Sequence, residues 1–303
     1  TCASRVSSQW KSTAQAQLTK VRFGYSASAG FMSSFIAKDQ GLFEKHGLDV
    51  EMVYMTKGSI IPASLIGGSL DVGIVTAPSM IRAVEGGMDL VALAATNVNS
   101  PSQRVIALMI RNDLKIEKPQ DFEGKRIGVA GRYGILDTLF QKWAADRGVD
   151  LKKITFLEVG FAQMGDMLKS GQIDGATVAE PFLDRMEKAG SAKIGVEYMK
   201  DLPDGMVQGG FMATRKWTET NRAAALGFGK AIHEAVKMYE ANPEIANPSL
   251  AKHLRLKIDV VTNLTKPVIK ADITPEQLEF WNDVAMTYGI TRTKIDVSKL
   301  IFK

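Results

Sequence analysis

The chain has 303 residues, 45% of them hydrophobic and 23% charged, which suits two compact units of roughly 150 residues each rather than a disordered polymer. No apolar run approaches the roughly 18 residues that a helix needs to cross a bilayer. The excess of 38 Lys and Arg over 33 Asp and Glu does not gather into a basic block interleaved with aromatic residues, so no nucleic-acid partner is expected; the single cysteine, Cys2, builds neither a disulfide framework nor a cysteine metal site.

Residues 1–17 are small and polar, without hydrophobic period, and are expected to stand outside the fold as a leader remnant or linker. Ala14, Gln15 and Ala16 have the small-x-small pattern of a secretory cleavage site, but no apolar stretch precedes them. Cys2 is a weak candidate for a lipid-anchored cysteine, because Thr1 is a poor residue before such a site. From there the pattern predicts a strand over 21–25, a helix over 31–45 ended by Gly47, a strand over 50–54, a helix over 60–66 and a strand over 72–75. A second series follows, with strands over 126–130, 154–159 and 175–178 and helices over 135–146 and 163–169. Two further apolar runs, 105–110 and 206–213, flank it. The tail predicts helices over 218–240, 244–253, 259–269 and 275–288, the last with Thr274 as N-cap, Pro275 in the first turn and Gln277 completing a capping box.

The two series are copies of one unit. The run from Leu65 to Pro78 aligns without gaps on that from Leu168 to Pro181, pairing Gly68 with Gly171, Asp71 with Asp174 and Val75 with Val178. Strands alternating with helices argue a parallel sheet with right-handed crossovers in each copy. The second copy is inserted into the first, so the chain is expected to cross between lobes near Ile110 and to return near Gln208, two crossings that make a hinge. The domain reading is residues 18–108 and 207–303 for the first lobe and 109–206 for the second.

Four motifs in this order resemble the solute-binding proteins of the nitrate, sulfonate and taurine importers, a group that includes binding proteins for thiamine precursors. They are Ala37-Lys-Asp-Gln-Gly41-Leu-Phe43-Glu-Lys-His-Gly47-Leu-Asp49, Gly68-Ser-Leu-Asp71, Asp121-Phe-Glu-Gly124-Lys125-Arg126, and Gly171-Gln-Ile-Asp174 with Glu180-Pro181. The resemblance covers residues 20 to 215. It implies an α/β fold, two-lobed and periplasmic-binding-protein-like (type II), in a periplasmic protein, expected to be a monomer, that closes on a small molecule and delivers it to the membrane permease of an ABC importer. Most motif residues read as structural: Gly41, Gly47, Gly124, Gly148 and Gly171 as turn or helix-end residues, Asp71 and Asp174 as turn residues at strand starts.

Ligands of open parallel sheets bind beyond the carboxyl ends of the strands, and two facing lobes put two such edges on one cleft. That selects Ser26, Ser28, Gly30, Phe31, Ser59 and Thr76 from the first lobe. From the second it selects Arg132, Tyr133, Gly134, Phe161 and Glu180, with Phe211 from the return crossing. Lys57, the other cation of these loops, reads as a solvated rim residue. Hydroxyls, helix starts and the Arg132 fork between Gly131 and Gly134 favour a small organic anion, a sulfonate or carboxylate, and the aromatic residues favour a planar or apolar body. A neutral pyrimidine recognised by Glu180 and the aromatic residues is the alternative. Enzymes of related fold are also to be weighed. The resembling desulfinase has a cysteine nucleophile where this chain has Ser26-Ala27-Ser28, the fungal pyrimidine synthases have a cysteine-rich segment that is missing here, and His46, His233 and His253 lack metal-ligand spacing. No catalysis, metal or cofactor is expected.

Overall fold

The computed structural model describes residues 17–303. The expectations for Cys2 and the Ala14-Gln15-Ala16 pattern lie outside the described residues. In chain order the first elements are β1 (Thr19–Tyr25), α1 (Met32–Asp39), α2 (Leu42–Lys45), β2 (Leu48–Tyr54), α3 (Ile61–Ile66), β3 (Val72–Thr76), α4 (Ala77–Glu85) and β4 (Leu90–Ala95). Then come β5 (Asn97–Val98), β6 (Ile106–Ile110), β7 (Arg126–Val129), α5 (Ile135–Ala145), β8 (Thr155–Glu158), α6 (Phe161–Lys169), β9 (Gly175–Ala179), α7 (Phe182–Lys188) and β10 (Lys193–Val196). The chain ends with β11 (Gly209–Thr214), α8 (Arg215–Thr220), α9 (Arg222–Ala241), α10 (Ala246–Leu254), α11 (Ile258–Thr262), β12 (Val268–Ile269) and α12 (Pro275–Thr287).

Two five-stranded sheets share one topology, β2-β1-β3-β11-β4 in the first lobe and β8-β7-β9-β6-β10 in the second. In each, four strands run parallel and one, β11 or β6, runs antiparallel in the same place. The strands that fill the middle of each sheet, such as β3, β9 and β6, are near-continuous apolar runs because helices cover both faces. The repeat extends past Pro78 and Pro181: β4 and β10 occupy equivalent edges, and Gly87 and Gly190, both at positive φ, turn the chain towards them. Gly41, Gly47, Gly124, Gly148 and Gly171 all hold positive φ, as turn and helix-end residues should.

Asp71 and Asp174 repeat a second device. Asp71 accepts from Arg22 N, Nε and Nη2 at 2.8–2.9 Å, and Asp174 accepts from Arg126 N, Nε and Nη2 at 2.9–3.2 Å. Each carboxylate thereby ties the start of one strand to the start of its neighbour, at the sheet edge opposite the strands' carboxyl ends. Neither lines the cavity between the lobes.

Four expectations need correction. The expected helix over 31–45 is two helices, α1 and α2, broken at Gln40 and Gly41, where Gly41 takes φ +67°. β6 pairs with β9 along its length, so Ile106 to Ile110 belong to the second sheet, and the first crossing precedes Val105 instead of lying near Ile110. The expected helix over 218–240 is two helices, broken at Asn221, whose backbone is non-helical. The expected helix over 259–269 stops at Thr262; Pro267 disfavours helical geometry at Lys266, and Val268 and Ile269 pair with β5. α12 carries the expected capping box, with Thr274 N donating to Gln277 Oε1 and Gln277 N to Thr274 Oγ1. α9 backs the first lobe: Phe228 packs against Phe23 and Phe211 at centroid distances of 5.5 and 5.7 Å.

The two crossings run antiparallel and bond to each other. Gln208 N donates to Asn97 O (2.9 Å), Asn99 N to Met206 O (2.7 Å) and Gly205 N to Asn99 O (2.9 Å), with a bridge between Val98 and Val207. α12 braces this ribbon through Trp281 Nε1 to Val207 O and Gln277 Nε2 to Gly205 O.

Burial pushes the Asp174 carboxyl up, but its bonds from Arg126 more than offset this and hold it below the usual carboxylate range. Asp174→Asn should therefore cost about 1–2 kcal/mol at pH 7. A carboxylate held low stabilises only while ionised, so that contribution fades as pH falls through its folded pKa. Urea unfolding of both proteins at pH 7 and pH 3 measures this, and coincident midpoints at pH 7 would contradict it.

Candidate functional site

The carboxyl ends of β1, β2, β3, β7, β8 and β9 converge on one cavity between the lobes, open in part to solvent. Its walls are mostly apolar, including Phe31, Ile74, Ile106, Ile135, Leu136 and Phe161. The helices that follow those strands begin at its edge. α1 is entered through a 3-10 turn, Ala29–Phe31, capped by Ser28 Oγ, which accepts from Gly30 N at 3.2 Å. α3 follows the turn Gly58–Ile60, α4 starts after Thr76, α5 after Gly134, α6 after Gly160 and α7 after Pro181. Six helix N-termini thus face one space, which biases it towards negative charge.

Ten of the twelve residues selected from sequence line this cavity: Ser26, Ser28, Gly30, Phe31, Ser59 and Thr76 on the first lobe, and Arg132, Gly134, Phe161 and Glu180 on the second. Phe211 does not. It is fully buried between Phe23 and Phe228 in the first lobe's core, because alternation along β11 turns its side chain away from the cleft. Tyr133 does not line it either. Its ring lies under the Arg82 guanidinium of α4, 4.1 Å from Cζ to centroid, and its carbonyl accepts from Ser79 Oγ at 3.2 Å.

Tyr133 reaches across the cleft because Asp137 holds its backbone at φ +60°. The Asp137 side chain is fully buried and accepts from Tyr133 N, Arg132 Nη1 and Gln141 Nε2, each at 2.7 Å. Burial pushes this carboxyl up, while Arg132 and the Tyr133 N–H oppose the shift. Arg132 is thus not a free fork: one nitrogen is bonded to Asp137 and the guanidinium lies 4.4 Å over the Phe156 ring. Lys57 does not line the cavity.

Glu180 is the other ionisable lining group. Only 4% exposed, its carboxyl is pushed up to about 7 by burial, against one hydrogen bond from Asp184 N at 3.2 Å. Its backbone carbonyl accepts from Ala29 N of the first lobe at 3.2 Å, and Ser59 Oγ bonds Glu158 across the same gap. Sequence reasoning missed Thr96 and Asn97 and named Gln208 only for its loop. The available signal was the polar interruption Thr96-Asn97-Val98-Asn99 after the apolar run Leu90 to Ala95. Among the described residues no three His, Cys, Asp or Glu gather as a metal site, and no helix is long and apolar enough to cross a membrane.

Residues 14–254 match the NMT1-like family. This chain belongs to the NMT1-like family. It is 28% identical over 270 residues to a putative binding protein of Brucella abortus, covering 88% of this chain and 81% of that one. Its fold matches the alkanesulfonate-binding protein SsuA from Xanthomonas axonopodis pv. citri bound to MOPS, with 18% identity, a TM-score of 0.78 and coverage of 95% of this chain and 99% of that one. It also matches the periplasmic nitrate-binding protein NrtA from Synechocystis PCC 6803, with 18% identity, a TM-score of 0.78 and coverage of 93% and 84%. The fold of this NMT1-like chain is that of the periplasmic binding proteins, two α/β lobes around a cleft.

The contact of Arg82 with Tyr133 joins the lobes and contributes about 0.5–1 kcal/mol at a partly exposed site. With spin labels at the exposed Lys193 and Thr220 in a Cys2→Ser background, Tyr133→Ala should shift the ligand-free interlobe distances towards longer values. Unchanged distributions would contradict this role.

Proposed function

We propose that this chain is the solute-binding component of an ABC importer, an extracytoplasmic protein that captures a small organic anion between its lobes and hands it unaltered to a membrane permease. The observation that carries this reading is that six helices begin at the edge of one apolar-walled cavity, where the positive ends of their dipoles favour an anion. Membership of the NMT1-like family and the likeness to a putative binding protein support it. A carboxylate or sulfonate with an aromatic or short aliphatic body suits the walls formed by Phe31, Phe161 and the aliphatic residues.

A second reading, a neutral aminopyrimidine, is favoured by the pairing of Arg132 with Asp137, which leaves Glu180 as the lining ionisable group without an ion partner. The two readings differ in the sign of their pH dependence. A bound anion needs Glu180 protonated, so its affinity should fall by up to tenfold per pH unit as pH rises through about 7. An aminopyrimidine that donates to the ionised carboxylate should bind more tightly over the same range.

A thermal-shift panel of taurine, benzenesulfonate, benzoate and 4-amino-5-hydroxymethyl-2-methylpyrimidine, followed by calorimetry at pH 6 to 8.5, reads both. A solute at 100 times its Kd stabilises the native state by about 2.7 kcal/mol. Glu180→Gln should retain anion binding and abolish its pH slope. Recovery of a chemically changed solute, or affinity that rises with pH for the sulfonate or carboxylate, would overturn the anion-capture reading.

The same carboxyl makes a prediction for the free protein. Its folded pKa lies above the unfolded value near 4.3, so its share of stability is present below that value and lost as pH rises to about 7. Glu180→Gln should therefore raise the melting temperature at pH 8 relative to wild type. A variant that melts lower at pH 8 would contradict the burial argument.

A further inference from the structure

Most polar side chains of the cavity are already engaged by the protein. Ser28 caps Gly30, Ser59 bonds Glu158, Thr76 Oγ1 donates to Ser79 Oγ, Ser79 bonds the Tyr133 carbonyl and Arg132 bonds Asp137. A further polar set lies on the hinge ribbon. Thr96, Asn97 and Gln208 all line the cavity and are 0%, 4% and 5% exposed. Thr96 Oγ1 donates to Asn97 Oδ1 at 3.0 Å, and Asn97 Nδ2 donates to Gln208 Oε1 at 2.8 Å. The backbone holds the same residues in place, since Gln208 N donates to Asn97 O and Ala77 N to Gln208 O at 3.0 Å.

This chain of bonds sets the Gln208 amide with its oxygen on Asn97 and its nitrogen elsewhere. Among the described residues, Gln208 Nε2 is the one buried side-chain polar atom without a partner that belongs to a residue lining the cavity. A buried donor left unpaired costs about 1–3 kcal/mol, and a fold that keeps one beside a ligand cavity gains when a solute supplies the acceptor.

We infer that Gln208 is a specificity-determining residue whose side-chain N–H donates to an acceptor atom of the solute at the hinge end of the cavity. The inference rests on the capture reading above and narrows it: the solute must carry an acceptor, such as a carboxylate, sulfonate or ring nitrogen, at this point. A solute that only donates there would face the unpaired N–H and be rejected, because its own polar group would also be desolvated without a partner.

The test titrates benzenesulfonate, benzoate and 4-amino-5-hydroxymethyl-2-methylpyrimidine into wild type, Gln208→Met and Gln208→Glu. Met keeps the side-chain length without a donor. Glu keeps the acceptor for Asn97 but replaces the amide nitrogen by oxygen. For each compound that binds wild type, Gln208→Met should weaken binding ten- to hundredfold, and Gln208→Glu should weaken the two anions at least as much.

A second measurement needs no variant. In the unaltered protein, the assigned ¹⁵N–¹H side-chain amide signal of Gln208 should shift when a binding compound is added. Binding by Gln208→Met within twofold of wild type, or a Gln208 amide signal unmoved by a saturating compound, would overturn the role of Gln208. Failure of all three compounds to bind wild type would instead reject the capture reading on which it rests.

Discussion

Everything in the molecule that concerns the cleft depends on the ribbon formed by the two crossings. Asn97 to Asn99 and residues 205–209 pair backbone to backbone, so the lobes are joined by two strands that can only move together. A single linker would leave the lobes free to swivel. A paired one restricts them to bending about one region, and α12 limits that region further by bonding the carbonyls of Gly205 and Val207. The antiparallel strands β6 and β11 follow the crossings directly, so each crossing is anchored within a sheet and carries any bend to a whole lobe.

Charge within the cleft is arranged by burial more than by number. Among the described residues the one lining cation, Arg132, is matched by a fully buried carboxylate that also holds Tyr133 in a left-handed conformation. The same three residues therefore neutralise the second lobe's wall and present an aromatic ring to α4 of the first. Removing Asp137 would leave Arg132 unpaired and release Tyr133 at once. What remains along the lining is a set of helix starts, a hydroxyl-rich edge, the protonable Glu180 and Gln208, whose buried side-chain nitrogen has no partner.

The architecture was legible because its signals are local and repeated. The aligned runs ending at Pro78 and Pro181 carry a turn glycine, a strand-start aspartate and an apolar strand, and each kept its expected structural role. The rule that ligands gather at strand carboxyl ends located the cavity and ten of its lining residues. Its failures share a cause. Phe211 and Tyr133 stand in the selected loops, but whether a loop side chain faces the cavity depends on strand phase and on backbone geometry set by residues elsewhere, β11 alternation in one case and Asp137 in the other. The pairing of Arg132 likewise required knowing that α5 turns Asp137 inward. Thr96 and Asn97 were passed over because the repeat stops before them: the crossings, like the helical tail, have no copy.

Contacts already join the lobes around the cavity, at Ala29 with Glu180, Ser59 with Glu158, and Ser79 and Arg82 with Tyr133. Parting of these contacts would widen the mouth of the cavity, and their re-forming would close it over a solute. Small-angle X-ray scattering of the chain alone and with a saturating compound that raises its melting temperature tests this most directly. Hinged capture predicts a smaller radius of gyration and a shorter maximum dimension with the compound bound. Identical scattering curves in the two states would contradict it.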